Sequence, residues 1–275
     1  MEAYCDAKAR LFSMCRVGVV NGDDPWHKRL LEHAACQVLT YAEQAPADLR
    51  AENVSLSAAG VAFDAVTKSE RQAIFVGIPG GFMVYNTLDV LAAALALGIP
   101  LKDSAAALRQ SRHVKGRVEV VPLPGAEYTV LIDYAHTPDA VENVLRSVRG
   151  FAKGRVVALL GCGGDRDKTK RPKMGAAAAA LADLVIVTSD NPRTEDPRGI
   201  IQDILAGMYR SQTPHIVVED RAAAIVYAMD QAQKDDVIVL MGKGHETYQI
   251  VGAEKRHLDE REIVAAHWKQ THNGL

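Results

Sequence analysis

Asp190, Asn191 and Arg193 fall side by side on the polar stretch Ser189 to Pro197, which follows the apolar run Leu184–Val187. A carboxylate, an amide and a guanidinium held together can pair with a zwitterion, the guanidinium gripping a carboxylate through two parallel hydrogen bonds. Pro192 and Pro197 keep the residues before them extended, which stiffens the stretch. The same residues also read as a plain helix entry, with Asp196 as N-cap, Pro197 at the first helical position and Arg193 solvated. The loop alone does not choose between the two.

Residues of similar type recur elsewhere in the chain. Gly161, Gly163 and Gly164 let backbone amides approach an anion, and Arg166 adds a permanent charge beside them. Nucleotide phosphate and amino-acid carboxylate are both suitable guests. Gly242 and Gly244 bring backbone close to a ligand, and Glu246 adds a carboxylate able to hold an ammonium group. Arg166, Arg193, Asp190 and Glu246 together suit a ligand that carries both carboxylate and ammonium. His136 suits nucleotide contact or proton transfer, and equally well packs at a helix start. Lys8 lies one turn from Tyr4 and Phe12 on a helical pattern and reads as an ordinary solvated lysine. The glycines do not form GxGxxG, so a dinucleotide fold is disfavoured.

The elements that must position these residues follow from the apolar spacing. Strands are expected at Val118–Val121, Tyr128–Ile132, Val156–Leu160, Leu184–Val187, Ile216–Val218 and Val237–Leu240. Between and after them, helices are expected at Pro138–Val148, Pro172–Ala182, Gly199–Met208, Ala222–Ala232 and Glu260–Trp268. Such alternation implies crossovers and a doubly wound, mostly parallel, Rossmann-like α/β sheet. Asp133–Pro138, Gly161–Asp167, Asp190–Arg193 and Gly242–Glu246 each follow a strand, so all four loops open on the carboxyl edge, where such sheets bind ligands.

The earlier part reads as a helix from Met1 to Phe12, strands at Val17–Val20 and Gln37–Tyr41, and hairpins within Val54–Ile78. Helices at Asn86–Leu97 and Lys102–Arg109 complete it. It starts abruptly and asks for more sheet before residue 1. Ser111–Gly116 turns basic and polar and reads as a linker, dividing an incomplete first domain, 1–112, from a complete second one, 113–275.

Composition excludes several classes. The chain has 275 residues, 48% hydrophobic and 24% charged, with a net charge of -2 and 5% aromatics, so no basic surface for nucleic acid is expected. The longest apolar run, Val90–Ile99, is too short to span a bilayer, and no secretory signal is visible. Cys5, Cys15, Cys36 and Cys162 lack metal-binding spacing and read as reduced thiols in a cytosolic protein.

The four loops, with Met1–Tyr4, Lys8, Asn21–Asp24, Gly80–Asn86 and Gly116–Glu119, resemble the Mur ligases along essentially the whole chain. Asp-Tyr-Ala-His-Thr-Pro-Asp, Gly-Cys-Gly-Gly-Asp-Arg-Asp and Gly-Lys-Gly-His-Glu are together highly specific, and Asp-Asn-Pro-Arg marks the diaminopimelate-adding branch. The resemblance implies an enzyme that uses ATP and Mg²⁺ to form an amide through an acyl phosphate. The acceptor would be UDP-N-acetylmuramoyl-L-alanyl-D-glutamate and the incoming amine meso-diaminopimelate. It implies diaminopimelate contacts at Arg166, Asp190, Asn191, Pro192, Arg193, Gly242 and Glu246, and nucleotide contacts at Asn86, Arg117 and Asp133. By the same resemblance His136 is catalytic, and Lys8 is carbamylated and helps place Mg²⁺, which reverses its plain reading. A cytoplasmic enzyme, monomeric at full length, is implied.

Two departures stand out. Met83 replaces the asparagine usual in the family, and no GxxxxGK[ST] phosphate loop occurs in the chain. The chain therefore reads as part of the ATPase domain followed by the amino-acid-binding domain, inactive alone. Competing readings are a relative adding lysine or glutamate, including the folate-polyglutamating enzymes, and a non-catalytic amino-acid-binding module. Arg193 discriminates against a lysine-adding site, because a lysine side chain has no distal carboxylate for it.

Overall fold

A computed structural model describes residues 2–32, 34–111 and 114–272. The chain divides into two compact units, Met1–Arg112 and His113–Leu275. Residues 112 and 113, within the expected linker, lie outside the described residues, as does Met1 at the start of the expected first helix.

The first unit opens with α1 (Glu2–Ala9), a 3-10 turn (Arg10–Ser13), β1 (Val17–Asn21), α2 (His27–Leu31) and β2 (Gln37–Ala42). It continues with β3 (Leu49–Ser57), β4 (Gly60–Val66), β5 (Arg71–Val76), α3 (Phe82–Ala96) and α4 (Leu101–Arg109). Its sheet has the order β1-β2-β3-β4-β5, parallel from β1 to β3 and antiparallel from β3 to β5. Leu88 and Leu91 of α3 pack with Leu49, Val61 and Phe63 of the sheet, all nearly or fully buried. The helix begins at Phe82, earlier than the expected Asn86, because Gly81 occupies the N-cap without any side-chain cap. Asn86, the first residue of a capping type, lies inside the helix instead.

The second unit contains β6 (Glu119–Val121), β7 (Thr129–Asp133), α5 (Pro138–Arg149), β8 (Val156–Leu160), α6 (Lys170–Leu181) and β9 (Leu184–Val187). It ends with α7 (Pro197–Ala206), β10 (His215–Val217), α8 (Arg221–Asp230), β11 (Val237–Met241), β12 (Tyr248–Val251), β13 (Glu254–His257) and α9 (Glu260–His272). The main sheet has the order β10-β9-β8-β11-β7-β6, and only the β6–β7 pair is antiparallel. Strands β8 and β11 are buried along their whole length, which explains their unbroken apolar sequences. The doubly wound, mostly parallel expectation therefore holds for this unit.

The strand order reverses around β8, whose neighbours are β9 and β11. Loops leaving a sheet in opposite directions open a crevice at such a point, and here these are the loops after residues 160, 187 and 241. The antiparallel hairpin β12–β13 was not among the expected elements. Its second strand, Glu254–His257, is exposed throughout, so it carries no apolar alternation to reveal it. Among the described residues no helix is long and apolar enough to cross a membrane.

Candidate functional site

At the carboxyl edge of the second sheet lies a cavity of about 400 Å³. Arg166, Asp190, Asn191, Arg193, Gly242 and Glu246 all line it, joined by Tyr134, His136, Lys170 and Tyr248. Pro192 does not line it. Its carbonyl oxygen sits 1.9 Å from where a Cβ at Gly164 would lie, so Pro192 packs the loop against the glycine turn.

A lysine that sequence reasoning passed over organises the acidic side. Lys243 is fully buried, with Nζ donating to the Tyr248 carbonyl at 2.6 Å and to Asn191 Oδ1 at 3.1 Å. The same ammonium lies 3.1 Å from Asp190 Oδ1 and 3.5 Å from Glu246 Oε2. Its approach to Asp190 is off the line of a hydrogen bond, so Oδ1 accepts none although it is buried. Asn191 is committed to holding this arrangement. Its Oδ1 also accepts from Ile250 N at 2.9 Å, and its Nδ2 donates to Glu246 Oε2 at 2.8 Å. A buried cation among three side-chain oxygens is consistent with the rule that interior charges are paired. Gly242 adopts φ +114, and a Cβ there would stand 3.2 Å from Asp190 Oδ2.

The basic side is built differently. Arg193 has φ +52, an unusual backbone for a residue with a side chain. Its N–H donates to Ile250 O at 3.0 Å and its carbonyl accepts from Gly252 N at 2.7 Å, so β12 holds the conformation in place. Arg193 Nη1 donates to Gly164 O at 2.7 Å, which leaves Nε and Nη2 without hydrogen-bond partners among the described residues. Among the described residues Arg166 bonds only its neighbour's carbonyl, Asp165 O, at 3.1 Å. Both arginines thus keep donors available to an anionic guest.

The glycine turn after β8 was expected to bring amides to an anion. The structure gives two of its glycines another task, because Gly161 and Gly164 make room for the backbone of residues 188–192, and Gly164 N donates to Asn191 O at 2.9 Å. The two loops are further clamped by Arg171, a helix residue that is almost wholly buried. It reaches Glu195 through both terminal nitrogens at 2.8 and 3.0 Å, and Glu195 accepts the Asp165 amide at 2.5 Å. Arg171 first, then that amide, hold the Glu195 carboxyl down at about 2. Cys162, inside the same turn, is buried against Met174, and burial pushes its thiol up to about 12. It is an inert packing group.

Beneath the loops, Arg221 and Glu260 form an ion pair at 2.7 Å with no exposure on either side. Arg221 also donates to Ser189 O at 3.3 Å and Met241 O at 2.9 Å, the carbonyls just ahead of Asp190 and Gly242. Two site loops therefore rest on one arginine.

His136 Nδ1 lies 2.8 Å from Tyr134 O. A carbonyl can only accept, so Nδ1 carries the proton and Nε2 is left as an acceptor. Lys170 donates to His136 O at 2.8 Å. Of the expected nucleotide contacts, Asp133 and Arg117 do not line this cavity. Asp133 is buried outside the cavity and accepts Val118 N at 2.8 Å and Ala135 N at 2.7 Å. Burial pushes its carboxyl up and these two amides oppose the shift. Arg117 stacks its guanidinium 5.4 Å over the Tyr134 ring.

Lys8 and Asn86 belong to the first unit. Lys8 is exposed on α1, its ammonium 5.5 Å from the centre of the Tyr4 ring, and Asn86 is exposed on α3. Met83 packs partly buried against the core, where the family's asparagine would be polar. Asp23 accepts the amides of Glu43, Gln44 and Ala45 at 2.7 to 3.0 Å, and the Tyr85 hydroxyl at 3.1 Å. Partial burial works against the carboxylate, and these donors outweigh it to hold the Asp23 carboxyl below its ordinary range. No group of three or more His, Cys, Asp or Glu among the described residues is placed to hold a metal ion.

The Mur ligase middle domain matches residues 1–94, and the glutamate ligase domain of the Mur ligases matches residues 116–244. The chain belongs to the Mur ligase family. Mur ligases are ATP-dependent. A UDP-N-acetylmuramoyl-L-alanyl-D-glutamate–2,6-diaminopimelate ligase from Clostridium botulinum is 46% identical over 264 residues, covering 96% of this chain and 54% of that protein. A solved structure of a ligase of the same name superposes with a TM-score of 0.77 at 35% identity, covering 98% of this Mur ligase chain and 57% of the other. Folylpolyglutamate synthase from Thermotoga maritima, at 19% identity and a TM-score of 0.57 over 78% of this chain and 47% of its own, shares the fold. The chain spans about half the length of the curated relatives it matches.

Proposed function

We propose that this chain supplies the amino-acid-binding part of a ligase that adds meso-diaminopimelate to UDP-N-acetylmuramoyl-L-alanyl-D-glutamate in peptidoglycan precursor synthesis. The observation that carries the reading is the meeting of Arg166 and Arg193 with Asp190 and Glu246 on one cavity. Diaminopimelate has an amino-acid centre at each end. One amine attacks the acyl phosphate, and the far centre needs a cation for its carboxylate and an anion for its ammonium. Arg193 is the partner for that carboxylate, through the donors its backbone contacts leave over. Asp190 and Glu246, already sharing Lys243, present the remaining negative charge to the ammonium.

His136, which lines the cavity with Nδ1 bonded to the Tyr134 carbonyl, is taken as the group that accepts a proton there. Arg117, stacked over the cavity-lining Tyr134, is taken as a platform for a nucleotide base. ATP supplies the phosphoryl group that activates the acceptor, and no phosphate loop in these residues cradles its β- and γ-phosphates. Lys8, as its carbamate, is the group taken to help place Mg²⁺, by the family resemblance. The reading takes the enzyme to act as a monomer in the cytoplasm, without nucleic-acid or membrane partners. A lysine-adding specificity is disfavoured by Arg193, which a lysine side chain would leave unpaired.

Calorimetric titration of the chain with meso-diaminopimelate, followed by an ATP hydrolysis assay, tests the proposal. Saturable binding of the amino acid without ATP turnover is expected. Steady ATP hydrolysis without amino-acid binding would overturn it.

A further inference from the structure

Cys15 and Cys36 take no part in the ligase reading. Cys15 stands two residues before β1 and Cys36 one before β2, and these strands run parallel with Val17 opposite Gln37. Two backbone hydrogen bonds bracket the pair, Ala35 N to Phe12 O and Gln37 N to Arg16 O, each 3.2 Å. The segments carrying the two thiols are thus tied together on both sides, at about the 4.8 Å spacing of paired strands. Room for the Cys36 sulfur comes from Gly18, where a Cβ would stand 3.2 Å from Sγ and 2.4 Å from the Phe12 ring. The thiols interact: after partial burial, the Cys36 side chain is the main reason that the Cys15 thiol is held above its ordinary value. Both are partly exposed, whereas Cys5 and Cys162 are buried.

We propose that Cys15 and Cys36 form a redox modification site, which a low-molecular-weight disulfide such as glutathione disulfide converts to an intramolecular Cys15–Cys36 disulfide. The Cys36 thiol gives its proton to water, and the thiolate attacks one sulfur of glutathione disulfide, breaking that S–S bond and releasing one glutathione thiolate. The Cys15 thiolate then attacks the Cys36 sulfur of the mixed disulfide and expels the second glutathione thiolate. Two protein thiols are oxidised, one glutathione disulfide is reduced, and the two released thiolates take up the two protons. The bond fastens the turn Arg10–Ser13, and α1 before it, to the start of β2.

Trypsin places every cysteine on its own peptide, residues 1–8, 11–16, 30–50 and 156–166. The native protein is incubated with glutathione disulfide, its remaining thiols are alkylated, and the digest is weighed. A species joining 11–16 to 30–50, lighter by about 2 Da than the two thiol peptides together and split by reductant, is expected. Cys5 and Cys162 should be recovered alkylated. Cys15→Ser should stop the reaction at a glutathione adduct on Cys36. Recovery of 11–16 and 30–50 as separate peptides, alkylated or each carrying glutathione, would overturn the proposal, as would an equal yield of the link from protein unfolded in guanidinium.

Discussion

Lys243 Nζ lies 3.1 Å from Asp190 Oδ1, in a place where the lysine side chain has no solvent exposure. The carboxylate expected to greet an ammonium ligand is therefore already shared with an internal cation. Asp190 and Glu246 carry two negative charges and Lys243 returns one positive, so the acidic side offers a net single charge, the match for one ammonium group. This balance makes the cavity suited to one amino-acid centre rather than to a free dication.

Lys243→Met should destabilise the second unit. Removing one partner of a buried ion pair leaves the other charge uncompensated, at a cost of about 3–5 kcal/mol. Asn191 would lose a donor at the same time. Urea unfolding followed on the second unit measures this, and an unchanged midpoint would show that the lysine is dispensable.

Acid should loosen the clamp between the two site loops. Glu195 is held at about 2 in the folded chain against an ordinary 4.5, so its contribution is fully present above about 4.5 and is lost as pH falls toward 2. Unfolding midpoints taken between pH 5 and pH 2 should fall across that window, and Glu195→Gln should remove that part of the slope. Parallel curves for the two proteins would contradict the assignment.

Gly164→Ala should separate the glycine turn from the Asp190–Arg193 loop, because the new Cβ meets the Pro192 carbonyl oxygen at 1.9 Å. Overpacking of this kind costs about 1–3 kcal/mol, and the displaced loop should also lose its ligand. Gly199→Ala, where nothing lies within 4 Å, is the control. Equal behaviour of the two variants in thermal unfolding would refute the close-packing account.

The sheet was legible because Val156–Leu160, Leu184–Val187 and Val237–Met241 are uninterrupted apolar runs, and a run of that kind between turn residues has few other uses. The placement of the four loops at one edge followed from the strand and helix alternation. The buried cations were not legible. Lys243 stands between two glycines, and Arg171 and Arg221 lie on helices, all places where a charged residue is ordinarily solvated. Only the fold brings Glu195, Glu260 and Asp190 to them across 24, 39 and 53 residues of sequence. The expectation that the glycine turn serves an anion missed its nearer cause, the passage of residues 188–192. Asp133 likewise pairs with backbone amides that lie 15 residues before it and two after it.

The central claim, that the cavity selects diaminopimelate through Arg193, is tested most directly by titrating meso-diaminopimelate and L-lysine against the wild-type chain and Arg193→Ala. A charged hydrogen bond contributes about 1.5–3 kcal/mol, or roughly one to two decades in affinity. The mutant should lose that much for diaminopimelate while its weak lysine binding stays nearly unchanged. Equal losses for both ligands would contradict the claim, because Arg193 would then serve only to tie its own loop to Gly164.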